Sequence, residues 1–428
     1  MSMKQTKLWT TNFFLLVLGQ IVSLFGNGIL RFALPLYLLD VTGSSTLFGL
    51  VSGVALVPLI FLTPVGGLLA DRLNKRNIMV CLDFITAALI FAFLSVFSDA
   101  QIIPQLIFTL MVLYGISGLY EPAVQSSLPI LLGEEVLTQG NGIIFSVNSL
   151  ATMLSPLIGG FLYGIYGLMP ILVISIVCFV FSAVMELFLK IPHTKQEYSE
   201  SVMKTAVDDL KLSFHYMTKE KKIIIKMVLI ACILNATIVS MGLIALPVLI
   251  TDRLQFSTEV YGMAQACAGV GGLCGGIFVS VFGNKLHINK MYQFFNGQTV
   301  ILIPLAISMQ FLSMPKISLL IIVCSTFCLM FIVTVGSVQM MTFVQGEVPE
   351  ELLGKIMALF LTFCICAQPV GQVVFGFLFD HFIGRETLII MIPIVVSIGV
   401  TFYAKSIFPT KGNEKDSTDL VNESNESK

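Results

Sequence analysis

Long apolar runs, almost free of charge and separated by short polar turns, constrain this chain more than any other feature of its sequence. An α-helix rising about 1.5 Å per residue needs roughly 20 apolar residues to cross a hydrocarbon core of about 30 Å. By that window the sequence predicts about twelve spans, near residues 12–39, 45–69, 77–97, 104–131, 139–165, 168–190, 223–250, 258–282, 288–312, 317–344, 354–379 and 386–408. The runs are continuous rather than alternating, so they read as helices and not as barrel strands. Only 11% of the 428 residues are charged and 56% are hydrophobic, against about 25% charged in soluble domains. The expected fold class is an all-α membrane protein.

The longest polar break divides the chain into an N-terminal six-helix bundle (1–190), a cytoplasmic linker (191–222), a C-terminal six-helix bundle (223–408) and a disordered tail (409–428). An internal repeat supports the division. LLGEEVLTQGNG at 131–142 resembles VQGEVPEELLGK at 344–355, and each is followed by a proline, Pro156 and Pro369. Two homologous halves imply bundles related by a pseudo-two-fold axis, with a site between them near the midplane. In the linker Val202, Ala206, Leu210, Phe214 and Met217 recur at helical spacing, which fits an amphipathic helix on the inner face or a plain tether. Of the 24 Lys and Arg, about 20 fall on the N-terminal side of the membrane, Arg253, Lys316 and Arg385 on the other, and Arg31 inside the first span. The positive-inside rule then puts both termini in the cytoplasm of a multi-pass cell-membrane protein. The two lysines of MSMKQTKLWT precede a stretch too long for a signal peptide, so it is read as the first span.

Net charge of −1 offers no basic field for nucleic acid. The nine cysteines sit in apolar runs without CxxC or Cys/His ligand spacing, so no metal site is expected. No cofactor is implied, and there is no phosphate-binding loop to couple ATP. GMAQACAGVGGLCGG lacks the spacing of a dinucleotide loop. His193, His215, His287 and His381 fall in connections and form no catalytic pattern, so the chain does not read as an enzyme.

A charge deep in a span costs several kcal/mol and is a functional candidate. Three stand out: Arg31, Asp83 and Glu121. Glu186, Glu259 and Lys226 lie near span ends, where snorkelling is expected. Glu121 precedes Pro122, which bends its helix, and a partly desolvated carboxyl there fits proton coupling or cation recognition. Asp83 has a competing role as an ion-pair partner of Arg72 or Arg76, and Arg31 has one in reaching the outer headgroups. Counting along the helices puts Arg31 and Glu121 at poorly matched depths, with Asp83 closer to Glu121. Among neutral polar residues, Gln20, Asn148, Asn235 and Gln368 sit at mid-depth and are the leading cavity candidates, although interhelical hydrogen bonding explains most such residues. Abundant Phe and Met predict an adaptable apolar cavity for an amphipathic compound.

Residues 66–79 read GGLLADRLNKRNIM. Here Gly67 permits close packing, Asp71 and Arg72 mark the water boundary, Asn74 is expected to stop the helix in a left-handed conformation, and Lys75 and Arg76 anchor the inner side. The stretch resembles the major facilitator signature G-x-L-A-D-R-x-G-R-R/K at Gly67, Leu69, Ala70, Asp71, Arg72, Lys75 and Arg76, with Asn74 in the glycine position. The resemblance implies that Gly67, Asp71, Arg72 and Arg76 form a gating latch between the bundles; a positive-inside anchor is the plainer alternative. The equivalent second-half stretch GGIFVSVFGNKLHINK keeps Gly276 and Lys285 but has no Asp. Span five carries SLATMLSPLIGGFLYG, similar to the family's antiporter motif at Ser155, Pro156, Gly159 and Gly160, with Ala151 and Ser155 replacing glycines. Close helix packing explains the same residues. The span-four Arg of many family antiporters is absent from MVLYGISG. The whole layout over residues 10–408 is similar to the macrolide-efflux branch of drug:proton antiporters, which also includes siderophore exporters. That resemblance implies a monomeric proton-driven exporter of amphipathic compounds by alternating access. Export of an endogenous siderophore or lipid is the alternative, and a non-transporting sensor the distant one.

Overall fold

The computed structural model describes residues 8–97, 102–132, 134–192, 211, 213–282, 291–311 and 313–407. Among them twelve helices are long and apolar enough to cross a membrane. They are α1 (Thr11–Thr42), α2 (Ser45–Arg72), α3 (Lys75–Ser95), α4 (Ile102–Leu131), α5 (Glu134–Tyr166), α6 (Leu168–Leu187), α7 (Lys222–Arg253), α8 (Thr258–Phe282), α9 (Met291–Ser308), α10 (Pro315–Glu347), α11 (Glu350–His381) and α12 (Glu386–Ile407). The all-helical, twelve-span expectation holds. Linker residues 193–210, the 283–290 connection with Lys285, and the tail lie outside the described residues, as does the side chain of Asp71. Of the proposed linker stripe, Phe214 is exposed and Met217 buried.

Polar caps set the helix ends. Thr10 Oγ1 accepts the Phe13 amide at the start of α1, and Gly43 at φ +60° closes its end by donating to Leu39 O. Ser44 Oγ then accepts the Leu47 amide and opens α2. Asn74 departs from expectation. It has φ −66°, not a left-handed value, and its Oδ1 accepts the Arg76 amide at 3.0 Å as the N-cap of α3. A short polar side chain serves as well for starting the next helix as for stopping the last. Helix α7 contains two wide turns, Asn235–Val239 and Val248–Arg253, in which Ser240 N–H reaches back to Asn235 O and Leu254 N–H to Leu249 O.

By packing, the chain divides into two compact units. The first holds residues 1–207 with Leu243–Ala266 and Gln368–His381, so the six leading helices carry parts of α7, α8 and α11. One end of this unit is a continuous apolar core around Phe13, Leu16, Met79, Ala123, Leu128 and Leu189. Helices α2 and α4 touch backbone to backbone: a Cβ on Gly66 would lie 2.5 Å from Gly118 O. That glycine, and not Gly67, makes the close approach, since a Cβ on Gly67 would meet nothing within 4 Å. The two positions are separated by a rotation of about 100° around the helix, and only one faces α4.

At the other end of the same unit, α2 meets α11 and α5 meets α8. A Cβ on Gly53 would come within 2.9 Å of Pro369 O, and one on Gly376 within 2.5 Å of Ser45 O. Asp380 of α11 accepts hydrogen bonds from Ser44 Oγ at 2.7 Å and from the Ser45 and Thr46 amides at 2.5 and 2.8 Å. Its carboxylate caps the positive end of α2. The second unit, residues 208–242, 267–367 and 382–428, joins α8 to α10 through Gly275 on Phe331 O. Lys221 pairs with Glu347 at 2.8 Å in that unit. Many large apolar side chains, Phe61, Phe145 and Phe402 among them, remain exposed. In water such surface promotes association, whereas against lipid tails it carries no penalty.

Candidate functional site

Within the first unit the helices line a partly open cavity of about 360 Å³. Its walls come from α1, α2, α4 and α5 together with α7, α8 and α11. Most of the lining is apolar, including Phe32, Phe48, Leu56, Leu110 and Ile244, and Phe32 stacks on Tyr261 with ring centroids 4.9 Å apart. A few polar groups point in: Arg31, Tyr114, Gln265, Gln368 and Gln372. A smaller cavity of about 160 Å³ shares Gly28, Arg31 and Thr152 with it and adds Asn27, Asp83, Ser117, Tyr120, Glu121 and Asn148. An apolar enclosure with a few fixed polar groups is the usual form of a small-molecule site.

Arg31 is placed by α1 against α4. Its Nη2 donates to Ser117 Oγ and the guanidinium lies 3.8 Å from the Tyr114 ring centroid, a cation–π stack. It therefore points into the protein and not to outer headgroups. Nε of Arg31 is buried without a protein partner. Glu121, one turn beyond Ser117, opens onto the smaller cavity that Arg31 also lines. The two thus border one cavity, while Arg31 is bonded to Ser117 and stacked on Tyr114, and no ion pair joins it to Glu121 among the described residues. Replacing Arg31 with lysine keeps the charge but loses the planar stack and the fork of donors. We expect Arg31→Lys to weaken substrate half-saturation by about tenfold with normal expression, as measured by concentration-dependent transport.

Asp83 is buried and accepts from Ser23 Oγ at 3.1 Å. No ion pair joins it to Arg72 or Arg76 among the described residues; Arg72 is exposed and Arg76 has a buried Nε without a partner. Behind Asp83 lies a group that sequence reasoning assigned to the membrane interface. Glu186 of α6 is fully buried, and Tyr120 donates to its Oε1 while accepting from Gln20 Nε2 at 2.7 Å. Glu186 does not snorkel, because its face of α6 turns to α1 and α4. The signal existed: Ser175, Ser182 and Glu186 share one helical face, and all three are buried. Among the described residues, Glu186 thus joins Arg31, Asp83 and Glu121 as a candidate inside the leading six helices.

The remaining candidates separate. Asn148 and Gln368 line the cavities, Gln20 belongs to the Tyr120 network, and Asn235 lies in the second unit with its Nδ2 donating to Ala231 O at 2.9 Å. The span-five residues pack helices. Ser155 lies where a Cβ on Gly28 would be, a Cβ on Gly159 would come within 3.0 Å of the Phe32 ring, one on Gly262 within 2.7 Å of Pro156 O, and one on Gly160 within 2.9 Å of Gly262 Cα. Among the described residues no cluster of three or more His, Cys, Asp or Glu has metal-binding geometry.

The sequence profile described as Major Facilitator Superfamily matches residues 16–367. Macrolide efflux protein A of Streptococcus pyogenes is 25% identical over 406 residues, covering 90% of this chain and 95% of that protein. Multidrug efflux pump Tap of Mycobacterium tuberculosis is 22% identical over 375 residues, covering 86% of this chain and 87% of the pump. Among solved structures, a bacterial homologue of the iron transporter ferroportin in an inward-facing state aligns with a TM-score of 0.69 at 16% identity, over 91% of this chain and 98% of its own. The nucleoside transporter NupG aligns with a TM-score of 0.70 at 15% identity, over 94% and 100%. At such identities these structures speak to the fold alone. The chain belongs to the Major Facilitator Superfamily, and it is a multi-pass membrane transporter of that family, not an enzyme.

Proposed function

We propose that the chain exports amphipathic small molecules from the cytoplasm by alternating access, in exchange for protons, as a monomer in the cell membrane with both termini inside. The observation that carries this reading is the mainly apolar cavity with Arg31, Tyr114 and glutamines at its wall. Such a surface binds by apolar burial with a few orienting hydrogen bonds, which suits bulky amphipathic compounds and not polyhydroxylated ones. Likeness to macrolide and multidrug efflux proteins supports the same class. In this orientation the α1–α2 turn faces outward, so the α2–α11 and α5–α8 contacts seal the outer side. The two sequence halves, 1–190 and 223–408, are the moving bundles, and the Gly67–Arg76 segment is the inner latch, with Asp71, Arg72 and Arg76 as its charged members. Glu121, open to the cavity beside Arg31, recognises the cationic part of a substrate or carries the coupled proton.

The test is accumulation of erythromycin and of ethidium in cells expressing the chain, with and without a protonophore. Lower accumulation of either, abolished by the protonophore, is the expected result. No difference for any amphipathic compound at verified expression would overturn drug export and direct the search to an endogenous acidic metabolite held by Arg31. In the same assay Glu121→Gln is expected to cut protonophore-sensitive efflux by about tenfold or more, equivalent to about 1.4 kcal/mol. Full activity of that variant removes Glu121 from coupling and recognition.

A further inference from the structure

Four helices converge on one buried polar cluster. From α3 comes Asp83, from α4 Tyr120, from α6 Ser182 and Glu186, and from α1 Gln20 and Ser23. Asp83 and Glu186 are 2% and 0% exposed. One oxygen of each is satisfied, Asp83 Oδ1 by Ser23 and Glu186 Oε1 by Tyr120. The other oxygen of each, Asp83 Oδ2 and Glu186 Oε2, is buried with no partner. Among the described residues no cation pairs with either acid. The groups contributed by α1 are uncharged, and Arg31 and Glu121 meet Asp83 only across the smaller cavity.

Two neighbouring carboxylates without a cation, both out of water, cannot both remain ionised. The two free oxygens are the positions where a proton can sit, and a proton there turns an unsatisfied acceptor into a neutral hydroxyl. Only Asp83 and Tyr120 of the three titratable members also line the smaller cavity; Glu186 lies behind them. A proton can therefore enter or leave at Asp83 while Glu186 stays sealed.

We propose that Asp83 and Glu186, members of one buried cluster with Tyr120 and Ser23, act as one proton carrier that exchanges its proton with the cavity at Asp83. This rests on the proton-antiport reading above and adds Glu186, which the sequence reading left at the membrane interface. When substrate enters from the inside, the Asp83 O–H bond breaks and the proton passes to cavity solvent. Tyr120 keeps its own proton and continues to donate to Glu186, holding that acid in place. After outward opening, a proton from the external medium re-forms the Asp83 O–H bond and substrate leaves. Carboxyl pairs of this kind titrate as a unit, in two steps that belong to neither residue alone.

That behaviour supplies a test independent of any substrate. In lipid-reconstituted protein, the infrared carbonyl band of buried protonated carboxyls is followed against pH. The wild type is expected to lose it in two separated steps. Asp83→Asn and Glu186→Gln should each show one step, well below the upper wild-type step, whereas Glu121→Gln keeps both and Glu186→Asp restores two. If the step remaining in either single variant coincides with the upper wild-type step, the acids titrate independently and the shared carrier is wrong. Absence of any buried band in the wild type overturns it equally. In proteoliposomes with ethidium as probe, Glu186→Gln should lose accumulation driven by a pH gradient by at least about tenfold, yet keep downhill equilibration. Retained driven accumulation, or loss of both modes, rejects the coupling role. A wild type that moves neither ethidium nor erythromycin fails the export reading, and the infrared steps then decide the proton pair by themselves.

Discussion

Gly49→Leu is expected to abolish export while leaving the helices folded. Helices α2 and α11 run antiparallel along a ladder of small contacts, Ser45 with Gly376, Gly49 with Gln372 and Gly376, and Gly53 with Pro369. A Cβ on Gly49 would overlap Gln372 O and lie 3.1 Å from Gly376 Cα. Neither neighbour is the movable tip of a side chain, so the backbones must part. Overpacking of this kind costs about 3 kcal/mol, a shift of roughly a hundredfold against any state that needs the contact. If this contact seals the outer side, the variant is held open to the outside. The check is a Ser45→Cys reporter, buried in the wild type, treated with a membrane-impermeant maleimide. Labelling should rise by at least about tenfold, and Gly49→Ala should give a smaller effect. Unchanged labelling together with unchanged export would show that the ladder yields without consequence.

Asp380→Ala should weaken the same contact by a different route. The carboxylate takes three donors from the start of α2 and sits at the positive end of that helix. Asp380 is half-buried, so solvent screening reduces the total, and we expect a loss of about 2 kcal/mol, near thirtyfold in the closed population. Thermal unfolding in detergent should begin several degrees lower, with Asp380→Asn between variant and wild type because it keeps one acceptor. Equal melting of all three would mean that Ser44, as the α2 cap, suffices alone.

How much of this was legible in the sequence depends on which physical quantity carried the information. Span number followed from length and apolar content, which a bilayer fixes directly, and the α1 end at Gly43 fits its turn chemistry. Direction around a helix was harder. Gly66 and Gly67 are adjacent letters, and only packing on α4 distinguishes them. Glu186 was judged by its distance from the span end, when the decisive quantity was the face it shares with Ser182. Arg31 and Glu121 border one cavity, which residue counts along the two helices do not reveal. Asp83 was recognisable because a carboxylate eight residues into a span has few roles, but its partner Ser23 comes from a helix 60 positions away in sequence, beyond any local pattern.

The two wide turns of α7 bear on how sequences of this family are compared. A turn closed by five-residue steps accommodates one residue beyond the regular helix, so the segments on either side keep the faces they would have with that residue deleted. A one-position gap within residues 235–239 or 248–253 would be structurally silent, whereas a gap elsewhere in α7 would rotate every later side chain by about 100°. Alignments of α7 that forbid gaps therefore place Leu243 and Ile244, which line the cavity, opposite the wrong residues in any relative with regular turns there. At these low identities, cavity residues of α7 are best matched by their helical face and not by counting from either end.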